Sequence, residues 1–139
     1  MTVVVDASVA LKWVLPEKGT RDADALLSQA LIAPSFWLAE CANALWKNVR
    51  IGKISAANAS SLFQKLRRAP VAGMATDDDT AMALDLAIRL GHPIYDCLYL
   101  ALALREDTYV VTADTRFVAA AASDSKMKKR VQLLGALSA

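Results

Sequence analysis

Two short runs rich in β-branched residues, "TVVVD" at 2–6 and "TYVVTAD" at 108–114, each end on a carboxylate, Asp6 and Asp114. Such runs are too brief and too β-branched for helices, and they suit strands buried on both faces. "LIAP", "VAGMA" and "RVQLL" are weaker candidates for three further strands. Helical spacing fills the gaps. "SVALKWVL" stops at Pro16, and Thr20 is placed to cap a second helix through about Leu31. Ser35 opens "FWLAECANALWKNVRIG", closed by Gly52, and Ser55 caps "AANASSLFQKLRR", ended by Pro70. "DDDTAMALDLAIRLG" carries acids at its start and Gly91 past its end. "HPIYDCLYLALALRE" reads as a loop and a strongly apolar helix, and a short helix follows Asp114. Strands alternating with helices predict a parallel sheet covered on both faces. In such sheets ligands bind at the carboxyl ends of the strands, where Asp6 and Asp114 both fall.

The chain has 139 residues, 55% of them hydrophobic, and is expected to form one domain over 1–139. A net charge of +2 permits nucleic acid as a partner without arguing strongly for it. Cys41 and Cys97 sit inside apolar runs and read as reduced core thiols. No basic leader precedes the first apolar run, and no uncharged apolar run approaches the roughly 20 residues that cross a bilayer. The expectation is a soluble, cytoplasmic protein. His92 is the only histidine, which excludes two-histidine cleavage of RNA within one chain. Beside Pro93, it reads as a loop residue rather than a ligand. "KMKKR" reads as a solvated loop. A Gly-rich phosphate loop and a G-x-S-x-G turn are both missing, which leaves metal-dependent chemistry as the main catalytic option.

Most of the 14 acidic residues suit helix starts, turns or the surface. Four do not. Asp6 and Asp114 end apolar strands, Glu40 sits in "FWLAECANAL", and Asp96 interrupts "PIYDCLYLALAL". Taken singly, Asp6, Asp96 and Asp114 can be helix caps and Glu40 a surface residue. If the four converge, their repulsion must be relieved by protons or by a cation. Oxygen ligands favour Mg²⁺ or Mn²⁺, which bind a few carboxylates together with phosphate oxygens. That chemistry suits phosphodiester cleavage.

With these blocks the chain resembles the PIN domain, especially VapC-type toxins of toxin–antitoxin pairs. The matching stretches are "VVVDASVALKWVLPE", "AECANAL", "HPIYDCLYLALA" and "VVTADTRF", in the family's order. The resemblance implies an α/β/α sandwich around a parallel sheet and an endoribonuclease dependent on Mg²⁺ or Mn²⁺, acting on single-stranded or structured RNA. It implies Asp6, Glu40, Asp96 and Asp114 as metal-binding, catalytic acids, with Ser8, Asn43 and Thr112 supporting them. It also implies a homodimer and a VapB-type antitoxin whose C-terminal segment lies in an apolar groove, for which "FWLAECANALW" and "ASSLFQKLRR" are candidates. Some relatives carry a further acid just after the fourth position, where this chain has Thr115 and Arg116. Two alternatives remain open. One is a catalytically inactive PIN-like binding module. The other is a response-regulator-like Mg-binding phosphoacceptor domain, although Asp6 lacks the second acid usually paired with it at the end of the first strand.

Overall fold

The structure, a computed structural model, describes residues 1–136. Five strands form one parallel sheet: β1 (Thr2–Val5), β2 (Ala30–Pro34), β3 (Val71–Met74), β4 (Val110–Thr112) and β5 (Val131–Leu133). Their order is β3-β2-β1-β4-β5. Val4 pairs with Ile32 on one side and Val110 on the other, so β1 lies at the centre of the sheet. Its residues Val3, Val4 and Val5 are buried, as a strand covered on both faces requires.

Among the described residues, seven α-helices connect and flank the strands: α1 (Ala7–Ala10), α2 (Thr20–Ala25), α3 (Trp37–Arg50), α4 (Ala56–Arg67), α5 (Thr80–Leu90), α6 (Ile94–Arg105) and α7 (Thr115–Ala122). The result is a three-layer α/β/α sandwich. The chain steps from β1 outward to β2 and β3, then crosses back to β4 on the other side of β1. Right-handed crossovers carry the helices of the outward path over one face and those of the return path over the other. The switch in direction falls between β1 and β4, and a crevice opens there beyond the carboxyl ends of the strands.

From Cys97 to Ala103 the helix α6 is apolar on every face and buried. It packs on α5 and against β1, β2 and β4, so the first turn of α6 is carried to the crevice. Gly91 ends α5 at φ +62°, a conformation that glycine adopts without steric cost.

Several expected boundaries move. The helix expected from Thr20 to about Leu31 ends at Ala25, followed by a short 3-10 turn, and Ala30 already pairs with Thr2 in the sheet. The Thr20 hydroxyl does not cap; it donates to the Glu17 carbonyl at 2.8 Å. Ser35 does not cap α3, whose N-cap position is Phe36. Ser55 does cap α4, accepting from the Asn58 N–H at 3.1 Å. Both cysteines are free and buried, and burial pushes the Cys41 thiol up to about 12 and the Cys97 thiol to about 11. No helix among the described residues is long and apolar enough to cross a membrane.

Leu102 is fully buried on α6. Leu102→Ala should lower the unfolding free energy by about 2–5 kcal/mol, measured by urea denaturation, through lost burial and the cavity left behind.

Candidate metal centre

Asp6 directly follows β1 and its backbone N–H donates to the Val111 carbonyl at 3.0 Å, continuing the β1–β4 pairing. It stands at the N-cap position of α1, yet its side chain makes no capping bond. Instead Oδ2 accepts from the Ser8 hydroxyl at 2.6 Å and the Thr112 hydroxyl at 2.7 Å. Each hydroxyl also accepts a backbone N–H from the exit of β4. Ser8 Oγ takes that of Ala113 at 3.0 Å, and Thr112 Oγ1 takes that of Asp114 at 3.1 Å. A hydroxyl has a single hydrogen. Both are committed to Asp6, so the 3.4 Å approach of the two hydroxyls to each other is a contact and not a further bond.

Glu40 lies in the first turn of α3, and its Oε1 accepts from the Tyr99 hydroxyl at 2.7 Å. Tyr99 is fully buried on α6, with the Phe36 ring edge-on to it at 5.7 Å. Asp96 lies in the first turn of α6, where its Oδ2 meets His92 Nε2 at 2.6 Å. Asp114 caps α7 by accepting the Arg116 N–H at 2.9 Å. All four acids line one open cavity of about 560 Å³, together with Ser8, Asn43, Lys47 and Tyr95. The capping alternative therefore describes Asp114 in part and fails for the Asp6 side chain.

The electrostatics of the cavity are those of crowded acids. Burial raises the Asp6 carboxyl above its ordinary value; the Ser8 and Thr112 hydroxyls pull it back, and Asp96 pushes it further up. Burial likewise raises Glu40, offset by the Tyr99 hydroxyl and reinforced by Asp6 and Asp96. Asp96 is raised by burial, against the pull of His92 and with the push of Asp114. Among the described residues, no Lys or Arg forms an ion pair with Asp6, Glu40, Asp96 or Asp114. An oxygen-rich donor set with unrelieved like charge fits a divalent cation.

The expected supporting residues divide. Ser8 and Thr112 hold Asp6 directly. Asn43 lines the cavity one turn along α3 from Glu40, but no hydrogen bond joins the two. Sequence reasoning gives Tyr99 no role and reads His92 as a loop residue rather than a ligand. His92 does lie in the loop before α6, as expected, but its ring turns inward and stacks on Phe117 at 5.2 Å. The one available signal was spacing, since His92 precedes Asp96 by four residues. Nothing local links Tyr99 to Glu40, which is 59 positions away.

The family model described as "PIN domain" matches residues 3–123. Ribonuclease VapC3 of Pyrobaculum aerophilum is 33% identical over 120 residues, spanning 82% of this chain and 90% of that protein. Among solved structures, PAE2754 of Pyrobaculum aerophilum superposes with a TM-score of 0.74 at 22% identity, covering 99% of this chain and 86% of that one. VapC20 of Mycobacterium tuberculosis, described as a sarcin–ricin loop cleaving toxin, gives 0.65 at 17% identity, covering 85% and 94%. VapBC2 of Rickettsia felis gives 0.64 at 13%, covering 96% and 97%. At these identities the structural likenesses establish the fold.

Thr112→Val should test the hydroxyl network. It keeps the shape, strips Asp6 of a donor and leaves the Asp114 N–H without its acceptor. The expected loss is about 1–3 kcal/mol in urea denaturation.

Proposed function

The chain belongs to the PIN domain family, and on that premise we propose that it is a metal-dependent endoribonuclease, the toxin of a toxin–antitoxin pair. The observation that carries this reading is the convergence of Asp6, Glu40, Asp96 and Asp114 on one cavity. These four would hold Mg²⁺ or Mn²⁺, and all four are assigned catalytic roles. A cation held there would supply the Lewis acidity for activating water and stabilising the leaving oxygen.

The chain's own residues do the rest. Ser8 and Thr112 fix one oxygen of Asp6 and leave the other without a hydroxyl donor, so that it would be available to a cation. Tyr99 does the same for Glu40. The Tyr95 ring is 62% exposed at the cavity and is braced edge-on by Phe36 at 5.7 Å, a platform on which an unpaired base can stack. Lys47, two turns along α3 from Glu40, offers a cation to a neighbouring phosphate at the rim. RNA is therefore the proposed substrate, single-stranded at the cleavage point.

The partner follows the same reading. An apolar groove of about 370 Å³ runs between α3 and α4, lined by Leu45, Trp46, Val49, Ala59 and Phe63. Trp46 is 53% exposed there. Such a groove suits the apolar face of a VapB-type antitoxin segment. On α5, Leu84 and Ile88 are exposed one helical turn apart, a face suited to a homodimer.

Cleavage by activated water does not use the 2′-hydroxyl. Incubation of single-stranded RNA with Mg²⁺ or Mn²⁺ should yield 5′-phosphate ends. Products ending in 2′,3′-cyclic phosphate would overturn this mechanism, and no cleavage under either ion would favour the inactive binding module.

Asp6→Asn separates a metal-site role from a structural one. Burial holds Asp6, Glu40 and Asp96 above the ordinary carboxylate range, so the folded chain binds protons more readily than the unfolded one. Metal-free stability should therefore rise as pH falls from the raised values toward about 4. Asp6→Asn keeps an acceptor oxygen for Ser8 and Thr112 but removes the charge. Expected at pH 7 are a metal-free Tm at or above wild type, a smaller gain from Mn²⁺, and loss of cleavage. A sharply lower metal-free Tm, with activity falling only in proportion to the folded fraction, would make Asp6 a structural residue.

A further inference from the structure

Among the described residues, His92 brings a nitrogen donor to two of the four acids, Asp96 and Asp114. Its side chain is 10% exposed, and Nε2 lies 2.6 Å from Asp96 Oδ2. One donor atom each from His92, Asp96 and Asp114 lies within 4.8 Å of the others. Among the described residues no other set of three such donors is this close. Asp6 and Glu40 stand outside it, each with an oxygen tied to hydroxyls of the fold.

The imidazole is fixed from several directions. Its ring lies nearly parallel to that of the fully buried Phe117, 5.2 Å away and tilted by 11°. Its backbone N–H donates to the Ala87 carbonyl at 3.1 Å, and its carbonyl accepts from the Cys97 thiol at 3.8 Å. Gly91 turns the chain into this position, and Pro93 then sets the start of α6. A ring held this way loses little further freedom on binding an ion.

Resting on the metal-centre reading above, we infer that His92 is a nitrogen ligand in the centre and shifts its preference from Mg²⁺ toward a first-row transition ion such as Mn²⁺. The physical ground is ligand hardness. Mg²⁺ is strongly oxygen-selective, whereas first-row transition ions accept imidazole together with carboxylates. Neighbouring ligands on an octahedral ion with bonds of about 2.1 Å sit about 3 Å apart. The His92–Asp96 pair, now joined by a hydrogen bond, needs to open only slightly to admit an ion between its two atoms.

The test is spectroscopic as well as thermodynamic. Pulsed electron paramagnetic resonance of the Mn²⁺-loaded wild type should show coupling to a directly bound ¹⁴N, lost in His92→Gln. Calorimetric titration should show Mn²⁺ affinity falling by about tenfold or more in His92→Gln, with Mg²⁺ affinity changed by about twofold or less. Absence of nitrogen coupling in the wild type, or equal losses for both ions, would reduce His92 to a clamp on Asp96 and overturn the inference. If neither ion binds the wild type, the metal centre fails, and the proposed function with it. If both bind without nitrogen coupling, only the role of His92 fails. The wild-type spectrum decides the matter alone should His92→Gln not fold.

Discussion

A carboxylate buried between the ends of two neighbouring strands is costly unless its oxygens are satisfied. In this fold the Ser8 and Thr112 hydroxyls meet that requirement for Asp6, and the same hydroxyls accept the backbone N–H groups leaving β4. The exit of β1 and the exit of β4 are thereby stitched together through side chains where the backbone ladder ends. Because the strand order reverses between these two strands, the stitch also sets the floor of the crevice. Asp114 emerges from it in a fixed direction and goes on to cap α7.

The walls of the crevice come from two helices that arrive from elsewhere in the chain. Glu40 opens α3 and Asp96 opens α6, and the contact that relates them is the buried Tyr99 hydroxyl. Tyr99 lies one turn beyond Asp96 on α6 and reaches Glu40 on α3, so the two acids are referenced to a single rigid helix. The apolar character of α6 is what makes this possible. With Cys97 through Ala103 buried, the helix has little freedom to rotate or slide.

Much of this was legible in the residues. β1 and β4 announced themselves by β-branching, and the Asp6 and Asp114 positions followed from the strand ends. Gly52, Gly91 and Ser55 marked helix boundaries by chemistry that acts within a few residues. The failures have a common physical origin. "ALLSQALIA" is apolar enough for either period, and pairing of Ala30 with Thr2 and Leu31 with Val3 decided for a strand. Ser35 is a good capping residue by type, but its backbone N–H pairs with the Met74 carbonyl at 2.8 Å as the chain leaves the sheet. Tyr99 takes its role from Glu40, a tertiary neighbour of which residue type and spacing carry no record. For His92 the four-residue spacing to Asp96 was a signal, but its stacking on Phe117, which turns the ring inward, was not.

The charge balance of the cavity accounts for its shape. Each acid is held by a donor that is neutral or only conditionally charged: hydroxyls for Asp6 and Glu40, an imidazole for Asp96, a backbone N–H for Asp114. A guanidinium or ammonium in any of these places would satisfy the carboxylate more fully, and would also cancel the charge that draws in a cation. Hydroxyls and a backbone N–H fix the oxygens of Asp6, Glu40 and Asp114 without that cancellation, so the acids stay crowded in the folded chain. Burial amplifies their mutual repulsion by weakening solvent screening. On the proposed reading, a cation entering the cavity would relieve that repulsion and add to the stability of the fold.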